Sequence, residues 1–262
     1  MFSSEPRQLL RKNQLAEVIC QLRFPEILII GTQPPAEFQE MIRDVFPQYS
    51  VRKEVPAPKL TGVPGNLTVE KATPITNHQF VSADGVWRVN LTSSFISLAC
   101  SRYTCWEDFA RQLDKPLAAF IQCYKPAYFE RVGLRYLNFI SRKALGLEDT
   151  PFRELFQNQY LGVLSLEDVP EQSASRSTVD AEVAIRGGCR VKLHAGPGLV
   201  KRKGQPGQEV RFIFDQDLYM PGNVPLNLSA GALQTLHAQA WSIFRGAITD
   251  ILLDAMDPGD FL

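Results

Sequence analysis

The chain has 262 residues, of which 45% are hydrophobic, and this is enough to bury a core without disulfide or metal staples. Its 28 basic and 28 acidic residues cancel, which excludes a net field that would draw the whole protein onto nucleic acid or an acidic membrane. Any partner of that kind has to use a local patch.

The cysteines and the hydrophobic segments predict a cytoplasmic protein. Five cysteines are an odd number, and the absence of a CxxC pair favours reduced thiols over a zinc or redox site. The N-terminal residues have no apolar core of a signal peptide. The longest aliphatic run, Ile27 to Ile30, is far shorter than the roughly 20 residues that span a bilayer.

In chain order, the patterns predict a polar N-terminal arm, residues 1–14, followed by two similar units, residues 15–126 and 127–262. Each unit is predicted to contain an opening strand, a connector, an antiparallel meander and a closing amphipathic helix. Leu22-Arg23-Phe24 echoes Leu134-Arg135-Tyr136 in the opening strands, and Trp106-x-x-Phe109-x-x-x-Leu113 echoes Trp241-x-x-Phe244-x-x-x-Ile248 in the closing helices.

This apparent repeat predicts an α+β fold in which each unit is an antiparallel sheet covered by a long amphipathic helix. We expect the two units to pack as one compact domain, by analogy with tandem helix-grip or TATA-binding-protein-like duplications. The analogy concerns the fold alone.

In the first unit, alternation predicts a strand over residues 16–24, and Pro34-Pro35 starts a helix that Pro47 stops. A proline-rich stretch, residues 51–65, is typical of an ordered loop or an edge segment. Further strands are predicted at residues 67–72, 78–82, 86–92 and 95–102, with Ala83-Asp84-Gly85 as a hairpin turn. Helical spacing then runs from Trp106 to Tyr124.

In the second unit, a long strand is predicted over residues 128–140, and a short helix over residues 151–158. Strands at residues 178–186, 189–196 and 209–219 complete a meander. One helix is predicted from Ser229 to Ala255.

Two aspartates of the last strand, Asp215 and Asp217, fall on one face at a spacing that lets carboxylates share a divalent cation. The alternative is that they sit at an exposed strand end or pair with arginines, and a lone DxD is common by chance. A third ligand cannot be identified. The sequence therefore predicts no resident cofactor and leaves a divalent cation as a minor alternative, while a site of several histidines is excluded by the wide spacing of the three present.

Three arginines, Arg23, Arg131 and Arg135, lie on the two opening strands. Guanidinium groups projecting from one sheet can clamp a phosphate or carboxylate bidentately. They can equally neutralise Asp215, Asp217 and Glu17 in structural ion pairs. The residue types favour the structural alternative.

A predicted basic hairpin, residues 186–211, has a local charge imbalance that the zero net charge of the chain conceals. It contains seven basic residues and one acidic residue, Glu209. Its tip, Lys201, Arg202 and Lys203, is a candidate contact for a partner or for phosphate. Acidic residues crowd the C-terminal end of the last helix, where the helix dipole disfavours them, so a basic partner is expected nearby. The basic hairpin, from the same chain or a second copy, is the simplest candidate.

Four segments together carry a resemblance: Val18-Ile-Cys-Gln-Leu-Arg-Phe-Pro25, Glu130-Arg-Val-Gly-Leu-Arg-Tyr-Leu-Asn138, Phe214-Asp-Gln-Asp217 and Phe244-x-x-x-Ile-Thr-Asp250. They resemble a sporadically distributed family of bacterial proteins of similar length that has no established function. The resemblance implies a bacterial chain that belongs to one family along nearly its whole length. It implies no activity, cofactor or catalytic residue.

No nucleotide-binding, metalloprotease or serine-hydrolase motif occurs in the chain. We therefore expect a non-enzymatic binding or protein-interaction module that engages a protein partner or a second copy of itself. One alternative is an enzyme or sensor of a phosphorylated small molecule, with Arg23, Arg131 and Arg135 on the anion and Asp215 and Asp217 on a cation. Another is nucleic-acid binding through the basic hairpin.

Overall fold

The computed structural model of the protein describes residues 1–55, 59–63, 66–70, 74–201 and 208–259. These residues form a protein of mixed helices and strands built on one large antiparallel sheet, which confirms the α+β class. Within the same ranges, no helix combines the length and the hydropathy needed to cross a bilayer.

The elements predicted from the sequence occur in the predicted order, together with further short strands and helices. The strands in chain order are β1 Leu9–Leu10, β2 Leu15–Arg23, β3 Gln48–Glu54, β4 Lys59–Val63, β5 Asn66–Glu70, β6 Ile75–Val81, β7 Trp87–Leu91, β8 Phe95–Cys100, β9 Phe129–Ile140, β10 Val179–Ala184, β11 Arg190–Lys201, β12 Gln208–Val224 and β13 Pro258–Gly259. The α-helices are α1 Leu28–Thr32, α2 Ala36–Ile42, α3 Trp106–Tyr124, α4 Arg142–Leu145, α5 Phe152–Leu155, α6 Ser229–Arg245 and α7 Asp250–Ala255.

Strands from both halves of the chain join in one nine-stranded sheet, in the order β10-β11-β12-β9-β2-β8-β7-β6-β3. Every neighbouring pair in it is antiparallel. At the centre, β2 pairs with β9, and Gln21 lies opposite Gly133. β4 pairs with β5, and β1 pairs with β13, outside this sheet.

Alternation along the central strands gives the sheet one apolar and one polar face. Cys20 and Leu22 of β2 are buried beside Val132 and Leu134 of β9. Because α3 packs on β8 while α6 packs on β9 and β12, the helices cover this apolar face. Full burial of one such aliphatic side chain contributes about 1.5–3 kcal/mol.

The start of the connector helix in the first half of the chain agrees with the prediction made from Pro34-Pro35. Pro35 is the N-terminal cap residue of α2, and Phe38 and Ile42 face the core. The helix ends at Ile42, before the predicted stop at Pro47, although Phe46 is still buried. Of the stretch predicted after it as an ordered loop or an edge segment, residues 51–54 belong to the exposed edge strand β3 and residues 59–63 form β4. Residues 56–58 and 64–65 lie outside the described residues.

The prediction of one helix from Ser229 to Ala255 is wrong, since α6 ends at Arg245 and α7 begins at Asp250. Gly246 is the C-terminal cap residue of α6. A Cβ atom at Gly246 would lie 2.5 Å from the carbonyl oxygen of Met1. The first residue of the chain therefore packs against the break between the two helices.

The N-terminal arm is held along α6 and the C-terminal strand, and is not loose. The backbone N–H of Ser3 donates to Ser242 O at 2.9 Å, and the indole N–H of Trp241 donates to Glu5 O at 3.3 Å. Pairing of β1 with β13 fixes the arm at its other end.

The two tryptophans of the predicted helix echo do not occupy corresponding positions. Trp106 is the first residue of α3, whereas Trp241 lies near the C-terminal end of α6. Ile248, the last residue of the echo, lies beyond α6. This echo is therefore wrong as evidence for a repeat.

Two leucines of β9 offer a matched test of the two faces. Leu134 is fully buried on the helix side, so Leu134→Ala should lower the free energy of unfolding by about 2–5 kcal/mol. Leu137→Ala, on the partly exposed opposite face, should cost less than half as much. Chemical denaturation followed by circular dichroism measures both, and equal losses would contradict the assignment of faces.

Candidate functional site

Arg131 is enclosed by its neighbours on the polar face of the sheet. Its Nη2 donates to Asp217 Oδ1 at 2.6 Å, and its guanidinium carbon lies 4.6 Å from the centre of the Tyr219 ring. The guanidinium also covers Gly133, where a Cβ atom would overlap it. With its side chain only 16% exposed, Arg131 has little surface left for an external anion.

Arg135 makes a two-point contact with Asp215. Its Nε donates to Oδ1 at 2.8 Å and its Nη2 donates to Oδ2 at 2.5 Å. The hydrogen bonds that Arg135 donates to Asp215 raise the pKa of Arg135 above its usual value. In the strand register Asp217 is directly opposite Arg135, to which it is not bound. Each aspartate therefore contacts an arginine that is displaced along the neighbouring strand, in a diagonal arrangement.

Arg23 lies directly opposite Arg131 in the pairing of β2 with β9. Its Nε donates to Gln21 Oε1 at 3.1 Å, and Arg131 Nη1 approaches the same oxygen at 3.4 Å. Glu17, expected here as a counter-ion, instead pairs with Arg88 at 2.9 Å. The three arginines thus lie on one face, but two of them are bound to aspartates.

The two aspartates have no third partner for a metal in the described ranges, where no group of three or more His, Cys, Asp or Glu side chains is placed to hold an ion. Each is bound to an arginine. This geometry corresponds to the ion-pair alternative.

The strands of the basic hairpin carry their own counter-ions. Arg190 and Lys192 lie 3.3 Å and 3.9 Å from the Glu182 carboxylate of the neighbouring strand β10, and Arg211 lies 2.7 Å from Glu209. Sequence reasoning missed Glu182 because it precedes the hairpin. Of the predicted tip, Arg202 and Lys203 lie outside the described residues, as does the side chain of Lys201.

The acidic C-terminal residues find basic partners in α6 and the arm. Arg245 pairs with Asp250 at 2.5 Å, and Arg11 pairs with Asp257 at 3.1 Å. The expectation that the basic hairpin supplies these charges is therefore wrong for these two aspartates. The physical reason is that the arm runs beside the C-terminal segment, which the sequence pattern does not reveal.

A partly enclosed cavity of about 90 Å³ lies where the arm, α3, α6 and the centre of the sheet meet. We name it the junction pocket. Its aromatic walls are Tyr103, Trp106, Tyr136, Trp241 and Phe244, and its polar lining includes Arg7, Gln8, Asn13, Asn138, Gln216 and His237.

A chain of polar contacts crosses this pocket. Glu107 Oε1 accepts from Arg7 Nη2 at 2.5 Å, and Arg7 Nη1 lies 2.8 Å from His237 Nε2. On the other side of its ring, His237 Nδ1 lies 2.7 Å from the Tyr136 hydroxyl, which in turn interacts with the hydroxyl of Tyr103. The ring of His237 stacks on Trp106 with centroids 4.7 Å apart.

Donor and acceptor roles in this chain are fixed by Arg7. A guanidinium can only donate, so His237 Nε2 accepts and the ring proton resides on Nδ1. Nδ1–H then donates to the Tyr136 oxygen.

The pKa shifts in the pocket keep its histidine and its two tyrosines neutral, and they keep Glu107 charged beside Arg7. Burial, followed by the charge of Arg7, lowers the pKa of His237 to about 4. Burial raises the pKa of Tyr103 and Tyr136 above the ordinary tyrosine value. Although its partial burial opposes the change, the hydrogen bond from Arg7 lowers the pKa of Glu107.

Two amide oxygens on the pocket wall have no hydrogen-bond partner, namely Oε1 of Gln216 and Oε1 of Gln8. Gln216 is 1% exposed and projects from β12 on the helix-covered face, between the buried Phe214 and Leu218. A buried acceptor without a partner costs about 1–3 kcal/mol. Both oxygens are themselves fully buried, so they lie within the wall of the pocket and not at the surface of the cavity.

Sequence reasoning missed this pocket, because its residues come from six separate segments. One signal was available: a polar residue that occupies an apolar position of a regular pattern. His237 lies in the inward stripe of α6 between Leu233 and Ala240, and Gln216 lies in the apolar alternation of β12. Such residues mark a buried polar site in the fold.

Comparison with known proteins identifies no relative, since neither the protein-family models nor the curated proteins include a match to this chain.

Gly133→Ala tests whether the Arg131 contact is built into the sheet. The new Cβ should displace the guanidinium from Asp217 and Tyr219, and lower the free energy of unfolding by about 1–3 kcal/mol. In an Arg131→Ala background the same change should cost much less, because the overlapping group is gone. Urea denaturation of the four proteins measures this cycle, and additive effects would contradict it.

The lowered pKa of His237 predicts acid sensitivity of the fold. Below the ordinary value of 6.5 the unfolded chain binds a proton that the native ring does not bind. Stability should be full above pH 6.5 and decline towards pH 4, by at most about 1.4 kcal/mol per pH unit from this group.

The measurement is the free energy of unfolding at several pH values for the native protein and for His237→Asn. Because Glu107 and other carboxylates also titrate in acid, the informative quantity is the difference between the two proteins. That difference should shrink as pH falls from 6.5 to 4. A difference that stays constant would show that His237 does not cause the acid loss.

Proposed function

We propose that the protein is a non-enzymatic binding protein whose ligand site is the junction pocket. The observation that carries this proposal is the partly enclosed cavity itself, in which aromatic walls surround a few convergent polar side chains, among them Asn138 and His237.

The shape of the pocket supports a small ligand. Ligand sites are typically apolar concavities with a few polar groups, and here the rings of Tyr103, Trp106 and Trp241 form much of the wall. The volume suits a small molecule or the terminal group of a larger one.

The state of the titratable groups supports binding over catalysis. Both ring nitrogens of His237 are engaged, one by Arg7 and one by Tyr136, so neither is free to take a proton from a substrate. The low pKa of His237 leaves the ring neutral, and its place in the chain is to hold Tyr136 in position.

The phosphorylated-ligand alternative has weaker support. It requires guanidinium groups that are free to clamp an anion, whereas Arg131 and Arg135 are already paired with Asp217 and Asp215. Arg23 is more exposed but cannot form such a clamp alone. The nucleic-acid alternative depends on the hairpin tip, and the basic residues of the adjoining strands have acidic neighbours.

We also propose that the fold is a duplication of one unit, as the opening-strand echo predicts. Its support is the order of strands on each side of the sheet centre, β2-β8-β7-β6 in the first half and β9-β12-β11-β10 in the second. In each half the opening strand is innermost, the last meander strand lies beside it, and a long helix follows. With the echo aligned, Gln21 corresponds to Gly133, the residue that it faces.

Substitution of Gln216 tests the proposed binding site. A screen of small polar fragments against the protein labelled with ¹⁵N at its tryptophan indoles should yield compounds that shift the signals of Trp106 and Trp241, which line the pocket, and leave Trp87 unchanged. Gln216→Met should abolish these shifts and, by removing an unsatisfied acceptor, should stabilise the ligand-free protein by about 1 kcal/mol.

Gln239→Met is the matched control. Gln239 also has an Oε1 atom without a partner, but it contacts Arg186 O through Nε2 and is not part of the pocket lining. This variant should keep every fragment-induced shift. A screen in which no fragment moves either pocket tryptophan would refute the proposal.

A further inference from the structure

We infer that the protein forms a closed dimer in which the edge strand β3 of one copy pairs antiparallel with β3 of a second copy. This inference goes beyond the binding function proposed above, since the lining of the junction pocket comes from other elements. The observation behind it is an edge strand whose seven residues are all exposed, although its apolar side chains point to the core side of the sheet.

β3 is one of the two free edges of the nine-stranded sheet. It pairs with β6 along one side, and no strand in the described ranges pairs with its other side. The backbone groups on that side are a template to which another strand can add. An antiparallel partner of equal length would form about one hydrogen bond per residue with them.

The core side of this edge is apolar and uncovered. Tyr49 and Val51 lie opposite Phe80 and His78, which are buried, but they are themselves 38% and 48% exposed. Tyr49 is held in place, because its hydroxyl lies 2.9 Å from His78 Nδ1 and its ring centre lies 5.2 Å from that of Phe80. The edge therefore presents an apolar surface that is already ordered.

Helix α1 adds further exposed apolar residues near this edge. His78 Nε2 donates to the carbonyl oxygen of Ile30 at 3.0 Å, so one imidazole ring joins Tyr49 to α1. In that helix Leu28 and Ile29 are 70% and 51% exposed. Exposed apolar side chains that cluster in this way mark surfaces that bind another protein.

The direction of the strands selects the partner. Because each of the nine strands is antiparallel to its neighbours, the two edge strands β3 and β10 run in the same direction. Joining β3 of one copy to β10 of another, with the helices on one side, would give a parallel pair and an open-ended series of copies. A twofold axis normal to the sheet instead joins β3 to itself, antiparallel, and closes after two copies.

Charge also favours self-pairing of β3 over self-pairing of the other edge. The charged residues of β10, Asp180 and Glu182, are both acidic and lie on one face, so pairing of β10 with itself would bring carboxylates together. The charged residues of β3 are Arg52, Lys53 and Glu54, which include both signs. Two copies of β3 can therefore pair without placing like charges opposite each other.

The register follows from the requirement that the apolar residues of both copies lie on the core side. A twofold axis through Val51 meets this requirement and pairs all seven residues of β3. Val51 then faces Val51 of the second copy, and Tyr49 faces the aliphatic stem of Lys53 of the second copy. An axis through Arg52 or Lys53 would instead bring two equal charges face to face, which is unfavourable. The remaining pairs are Gln48 with Glu54 and Ser50 with Arg52.

Sedimentation velocity tests the dimer. Over about 1–100 μM, a range that resolves a micromolar dissociation constant, the sedimenting mass should rise towards twice the 29.4 kDa of one chain. A mass that stays at that of one chain, or that grows beyond two chains, overturns the inference.

Opposite charges at residue 51 test the register. Val51→Glu and Val51→Lys each place like charges at the twofold axis, so each variant alone should associate at least tenfold more weakly than the native protein. Both should keep the native circular dichroism spectrum, because Val51 is exposed. An equimolar mixture should restore the dimer, since residue 51 faces its own counterpart in this register. A mixture that does not associate contradicts the register.

Val183→Glu is the matched control. Val183 is a comparably exposed valine on the other edge strand, β10, where it lies opposite the buried Val191 on the core side. This variant should dimerise as the native protein does. Loss of the dimer in Val183→Glu, or its persistence in Val51→Glu, overturns the β3 interface.

Hydrogen exchange locates the contact in the native protein. At a concentration at which the dimer prevails, the amides of residues 48–54 should exchange more slowly than in Val51→Glu, while the amides of the junction pocket should exchange equally in both proteins. Equal exchange along β3 overturns the edge pairing and leaves the pocket proposal untouched.

Discussion

The antiparallel pairing of β2 with β9 is the contact on which the rest of the structure depends. It joins strands from opposite halves of the chain, and it puts Cys20 and Leu22 beside Val132 and Leu134 under the helices. Without it each half would expose an apolar edge strand, which is a site for aggregation. With it the described sheet has free edges at β3 and β10, both rich in exposed residues.

The same pairing brings the two long helices together above the sheet centre. Trp106 at the start of α3 donates its indole N–H to Gln234 of α6 at 2.7 Å and stacks on His237 one turn away. The polar network therefore lies at the seam between the halves, where no single unit could enclose it. Arg7 of the arm completes the seam, and its link to Glu107 connects the arm to α3.

Local patterns predicted most of the fold. Alternation located the central strands within one or two residues, and Asp84-Gly85 formed the predicted turn, with Gly85 at a φ of 72°. The break at Gly246 escaped prediction, because it depends on the arrival of Met1 from the other end of the chain. The arm itself has too little periodicity to reveal that β1 would pair with β13.

The candidate sites also differ in how much of their geometry the sequence could predict. Arg131, Arg135, Asp215 and Asp217 could be placed on one face from strand periodicity, and pairing between them was the favoured alternative. Their diagonal geometry required the register, which sequence periodicity does not supply. The junction pocket required still more, because its residues lie on the arm, on β9, β12 and α6, at the start of α3 and at the end of α7. A polar residue in an apolar stripe was the available signal, and it does not specify its neighbours.

Gln216 is where the apolar pattern of a strand and a polar residue conflict. An aliphatic residue between Phe214 and Leu218 would continue the core and would leave no acceptor unsatisfied. The surrounding network makes the contrast sharper, since His237 and Tyr136 have partners while Gln216 Oε1 has none in the described part of the chain. A fold that satisfies the neighbouring groups and leaves this acceptor without a partner bears a cost of about 1–3 kcal/mol, which burial of the flanking Phe214 and Leu218 has to offset.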